Sequence, residues 1–122
     1  MYDAIETYTD VRDAVSKLCT QFPGEYWRKL DREMFYPTEF VWALTQAGWL
    51  AALIPEEYGG AGLPLSAGAI ILEEIHRSGG NTGACHAQMY TMGTLLRHGS
   101  DTQKNGIYLA LQMDHCDFRP LA

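Results

Sequence analysis

Apolar residues recur every three or four positions along most of this chain, with polar residues between them. That period belongs to amphipathic helices. Val11, Val15, Leu18 and Phe22 form the first stripe, behind Asp10 as a candidate N-cap and before the stop signal Pro23-Gly24. The pattern predicts a helix over 10–22. Tyr26 to Glu33 is charged and suits a short second helix. Pro37 fits a first helical position, where a missing N–H costs nothing. Phe40, Val41, Leu44 and Ala47 give the apolar face of a helix over 37–47, and Gly48 suits the left-handed residue after it.

Trp49 to Ile54 is a brief apolar run ended by Pro55. The glycines and prolines from Glu56 to Pro64 mark an ordered loop. Ser66 is a candidate cap for a helix over 66–78 with Ile71, Leu72 and Ile75 facing inward, and Ser78-Gly79-Gly80 ends it. Asn81 or Thr82 opens a helix over 82–98, whose stripe is Cys85, Met89, Met92 and Leu96. Gly99 closes that helix. Ser100 and Gln103 have the spacing of a capping box for a helix over 101–112. No run is long enough for a sheet, and there is no repeat or linker. The fold class is therefore all-α, a helical bundle of five or six helices.

A chain of 122 residues is the size of one domain, and 47% hydrophobic with 20% charged residues is a globular composition. Nine basic residues stand against fifteen acidic ones, for a formal charge of -6. That balance excludes nucleic acid and anionic membrane surfaces as partners, since both demand a basic face. The longest apolar run is too short to span a bilayer. The first residues lack the basic start and apolar stretch of a signal peptide. Cys19, Cys85 and Cys116 are far apart and odd in number, which points to reduced thiols and a cytoplasmic setting.

Three motifs carry possible chemistry. Gly59-Gly60-Ala61-Gly62 has neither the lysine of a P-loop nor the spacing of a dinucleotide loop, so a tight turn is its reading. Glu73 and His76 form one Glu-x-x-His pair, whereas a di-iron bundle needs two copies and further glutamates. His115, Cys116 and Asp117 are consecutive and point in different directions. No metal site is expected. On these grounds alone the chain is a helical domain without assigned chemistry.

The order Phe35-Tyr-Pro-Thr-Glu-Phe, Leu44-Thr-Gln-Ala-Gly-Trp-Leu, Ile54-Pro-Glu-Glu-Tyr-Gly-Gly-Ala-Gly and Ile71-Leu-Glu-Glu-Ile-His-Arg adds more. With Gly99-Ser-Asp-Thr-Gln-Lys, it resembles the N-terminal helical domain of the acyl-CoA dehydrogenase family over roughly Val11 to Lys104. The resemblance implies an FAD-dependent α,β-dehydrogenation of acyl-CoA thioesters. In that reaction a glutamate takes the α-proton and the β-hydrogen passes as hydride to the flavin. It places the glutamate, and most of the flavin site, in further domains. It also implies a possible homo-oligomer or pairing with family subunits.

The resemblance divides the chain into a family-like helical domain over 1–104 and an atypical tail over 105–122. The tail lacks the family's usual continuation, and either a reading-frame change or a genuine short paralogue accounts for it. The segment after Asp114 is expected to be loosely held. The chain is expected to contain no catalytic residue, to bind no FAD tightly and to be inactive alone. The alternative is a non-catalytic interaction module derived from the family. In the family, the helix matching 82–98 lines the cavity for the acyl tail. Thr82, His86 and Tyr90 share one face of it and are the candidate substrate-binding residues.

Overall fold

The computed structural model describes residues 8–112, with side chains as far as Ile107. Six helices carry the fold, and the described residues contain no strand. They are α1 (Thr9–Cys19), α2 (Gly24–Glu33), α3 (Thr38–Gln46), α4 (Leu65–Arg77), α5 (Gly83–His98) and α6 (Asp101–Gln112). Two 3-10 turns, Trp49–Ala51 and Glu56–Tyr58, lie between α3 and α4. The tail beyond residue 112, including the expected loose segment after Asp114 and the His115–Asp117 run, is outside the described residues.

The stripes bury as their spacing predicts. Val15 and Cys19 of α1 meet Phe40 and Leu44 of α3, Ile71 and Ile75 of α4, and Cys85 and Met92 of α5 in one core. Each buried aliphatic side chain of this kind stabilises the fold by about 1.5–3 kcal/mol. Helix α1 packs along α4, and α6 lies against α5 and the second 3-10 turn. Phe22, Tyr26, Trp27 and Phe40 form an edge-to-face series with centroids 4.8–5.2 Å apart, tying α2 to α3.

Several boundaries differ from the sequence expectation. Helix α1 begins at Thr9, and Asp10 lies in its first turn instead of capping it. A carboxylate there still favours the positive end of the helix dipole. The helix ends at Cys19, three residues early. Gln21 and Phe22 donate their amides to Leu18 and Cys19 carbonyls, tightening the chain before Pro23. Pro37 and Pro64 occupy the cap positions of α3 and α4, so Ser66 falls inside the first turn of α4 and does not cap it.

Two capping expectations hold. Gly48 adopts φ 83, the left-handed conformation that glycine tolerates. Gln103 Oε1 accepts the Ser100 N–H at 2.8 Å, and Ser100 Oγ accepts the Gln103 N–H at 3.3 Å. This reciprocal pair is the capping box of α6.

Candidate functional site

Helix α5 is built to show two faces. Cys85, Met89 and Met92 are buried on one side with Gln88, and this fixes the rotation of the helix. The opposite side carries His86 and Tyr90 into solvent. Their rings meet edge to face, with centroids 5.3 Å apart and planes at 67°. Four residues apart on a helix, they are neighbours on one surface. Tyr90 is 56% exposed, a large value for an aromatic side chain.

Thr82 is placed differently. It stands at the cap position of α5 with helical φ and ψ, so its hydroxyl does not cap. The turn is closed instead by Asn81, whose Oδ1 accepts the Gly83 N–H at 2.8 Å. Thr82 is buried, and its hydroxyl pairs with His76 Nε2 at 2.7 Å. The structure therefore brings His86 and Tyr90 together and turns Thr82 toward the end of α4. The Thr82–His76 bond left no mark in the sequence, because it depends on the path of the turn between the two helices.

The other candidate motifs have structural roles. Glu74 is buried and accepts a hydrogen bond from Arg12 at 2.8 Å, while Glu73 meets the same guanidinium at 3.4 Å. The bond to Glu74 raises the pKa of Arg12 further above its ordinary value, with Glu73 adding to it. His76 is taken by Thr82, so Glu73 and His76 serve different partners. No group of three metal-ligating side chains converges among the described residues.

The glycine-rich loop is a packing device. Gly59 and Gly62 have φ of 91° and 64°. A Cβ on Gly60 would lie 2.1 Å from the Ile54 carbonyl oxygen, so that position admits no side chain. The amides from Gly59 to Leu63 donate to the carbonyls of Glu56, Pro55, Ala51, Ile54 and Ala52. A phosphate-binding nest needs backbone N–H groups aimed at the ligand, and here they are engaged.

A second concave feature lies between α2, the segment after it and the start of α5. It is a cleft of about 700 Å³ with Trp27, Leu30, Phe35 and Tyr36 on one side and Gly80 and Ala84 on the other. Asp31 is the one charged residue in its lining among the described residues. No signal in the stripe pattern pointed to it, because α2 buries no residue completely.

Comparison with known proteins agrees with the helical reading. The family profile described as "Acyl-CoA dehydrogenase, N-terminal domain" matches residues 6–111. The chain is similar to the "Probable acyl-CoA dehydrogenase FadE25" of Mycobacterium tuberculosis, at 32% identity over 87% of this chain and 28% of the relative. It is similar to the "Short-chain specific acyl-CoA dehydrogenase, mitochondrial" of Mus musculus, at 42% identity over 62% of this chain and 19% of the relative. Similarity to the "Isovaleryl-CoA dehydrogenase, mitochondrial" of Solanum tuberosum is 28% over 81% of this chain and 25% of the relative. The chain thus spans less than a third of the length of these relatives. No solved structure matches it.

Proposed function

Because this chain belongs to the acyl-CoA dehydrogenase family, through that family's N-terminal domain, we propose that it supplies one helical wall of an acyl-CoA site and does not oxidise the thioester by itself. The observation that carries this reading is the exposed His86–Tyr90 pair on α5, on a helix whose opposite face is fully committed to the core. An acyl chain needs apolar walls with a few placed polar groups. The Tyr90 ring offers such a wall, its hydroxyl limits depth, and His86 is placed to face the thioester end. Thr82 is outside this wall: its bond to His76 ties the base of the helix to α4.

FAD is the cofactor of the intact family. Neither of two features fits its diphosphate: the amides of the glycine loop are engaged, and the described lining of the cleft carries a carboxylate and no cation. No step is therefore assigned to the flavin on these residues. The α,β-dehydrogenation, with its base and its hydride acceptor, belongs in this proposal to domains like those of the longer relatives.

The test is a fusion of this chain to the remaining domains of the mycobacterial relative. Tyr90→Ala in that fusion is expected to shift the preference among short and long acyl-CoAs, with helical content retained. An unchanged preference removes Tyr90 from the acyl wall.

A second reading, a non-catalytic interaction module, draws on one observation. Met34, Phe35, Trp42 and Leu65 are all more than half exposed. Apolar side chains at the surface mark interfaces when they are contiguous. Sedimentation separates the readings: a dimer in which Trp42 and Leu65 become protected from solvent favours the module. The proposed setting is cytoplasmic. No helix among the described residues is long and apolar enough to cross a membrane.

A further inference from the structure

We propose that the cleft between α2 and the start of α5 binds a small organic cation carried on an aromatic or aliphatic body. The site is distinct from the His86–Tyr90 face and does not rest on the acyl-CoA reading.

Size and lining come first. A volume of about 700 Å³ lies within the range of small-molecule sites, roughly 300–1,000 Å³. Trp27, Phe35 and Tyr36 give it aromatic walls, and Gly79 and Gly80 contribute no side chains. A Cβ on Gly80 would sit 3.0 Å from Trp27 Cζ2, so the glycine is what lets the indole lie against this turn.

Charge decides the class of ligand. Among the described residues Asp31 is the one charged member of the lining; it is exposed and joins none of the ion pairs they form. Of the cationic residues near it on α2, Arg28 and Arg32 both bind Glu25, at 3.1 and 3.4 Å, and Lys29, two positions before it, falls on the other side of the helix. An unpaired carboxylate beside aromatic rings attracts a cation through both the charge and the ring quadrupoles. The same carboxylate repels the phosphates of an acyl-CoA.

Left-handed backbone and exposed apolar surface collect at the same place. Met34 takes φ 55, and it is the one non-glycine residue with positive φ among the described residues. It is 90% exposed, and Phe35 beside it is 66% exposed. Met34 is the left-handed cap that ends α2, closed by the Phe35 N–H donating to the Leu30 carbonyl, and it turns the chain out along the cleft. Met34 and Phe35 line the cleft and offer exposed apolar surface to a ligand's body.

The experiment follows the indole N–H resonance of Trp27 in the full chain, assigned through Trp27→Phe. The probes are naphthylmethylammonium, its neutral alcohol isostere and the corresponding naphthoate. The ammonium is expected to shift the signal and to bind at least about tenfold more tightly than the alcohol, a gap of one decade in Kd. Asp31→Asn is expected to remove that gap. Asp31 is exposed and lies in the last turn of α2, where losing a negative charge does not harm the helix. Equal binding of ammonium and alcohol overturns the proposal, as does an ammonium preference that survives Asp31→Asn or the absence of any shift. A capped leucyl-lysyl-leucine peptide that binds more tightly than the ammonium also overturns it, in favour of a protein partner.

Discussion

The carboxylate of Glu74 accepts a hydrogen bond from the Arg12 guanidinium at 2.8 Å, joining α1 to α4 across 62 positions of sequence. Glu74 is buried, and its other cationic contact, Arg77, is longer, at 3.5 Å, and starts from an exposed side chain. Removing one member of a buried pair leaves the other charge uncompensated. Arg12→Met is therefore expected to lower the thermal midpoint by several degrees. Arg28→Met, which breaks a fully exposed pair with Glu25, is expected to leave it unchanged. Two equal midpoints in a calorimeter contradict this ranking.

Gly60→Ala tests the loop as a packing element. The added methyl would meet the Ile54 oxygen, the Ile54 Cβ at 2.4 Å and the Ala51 oxygen at 2.6 Å. Two of those atoms are backbone and cannot rotate away. A loss of about 2–3 kcal/mol is expected, as for other overpacked sites. Gly106→Ala, where nothing lies within 4 Å of the new methyl, is the control and is expected to be neutral or stabilising. Urea unfolding of the two variants makes the comparison.

These examples show what sequence could and could not reveal. Local features were legible: the stripe Cys85, Met89, Met92, the αL glycine at 48 and the box of Ser100 with Gln103 depend on residues within one or two turns. The acyl-CoA dehydrogenase resemblance was legible because its motifs lie in order along the chain. Long-range pairs were not. Nothing near Glu74 announces Arg12, and nothing in the Glu-Glu-Ile-His run marks Glu74 as the buried member. Met34 was equally hidden, since a left-handed cap ordinarily announces itself with glycine or asparagine. The cleft beside it depends on how α2 lies against the 79–81 turn, a tertiary fact.

Burial sets the chemistry of the core thiols. Cys85 is fully buried, and removal from water pushes its thiol from 9.0 up to about 12, with the nearby Cys19 adding to the rise. The folded state thus holds its proton where the unfolded state has lost it. Stability from this group is complete below about pH 9. It falls as the pH climbs from there toward about 12, at about 1.4 kcal/mol per pH unit. Cys85→Ala is expected to flatten that part of the stability–pH curve relative to the parent chain. Iodoacetamide at neutral pH is expected to label Cys85 only after denaturant is added. Rapid labelling of the native chain would show a thiol more accessible than this core allows.

A dinucleotide is held mainly through its diphosphate, and the usual means are a helix N-terminus with free amides or a cluster of cations. The glycine-rich segment before α4 spends its amides from Gly59 to Leu63 on backbone carbonyls. The cleft beside α2 presents Asp31. Catalysis further requires base, substrate and flavin in a single fixed geometry. Opening the loop to free its amides would break its hydrogen bonds to residues 51–56 and unpack Gly60 from Ile54. The purified chain mixed with FAD is therefore expected to leave gel filtration colourless and to show no dye-coupled turnover of acyl-CoA. In the fusion that tests the acyl wall, Gly60→Ala is expected to lower stability without changing the flavin absorbance of whatever folds. A yellow isolated chain, or a fusion that loses flavin while remaining folded, would place part of the cofactor site on this loop.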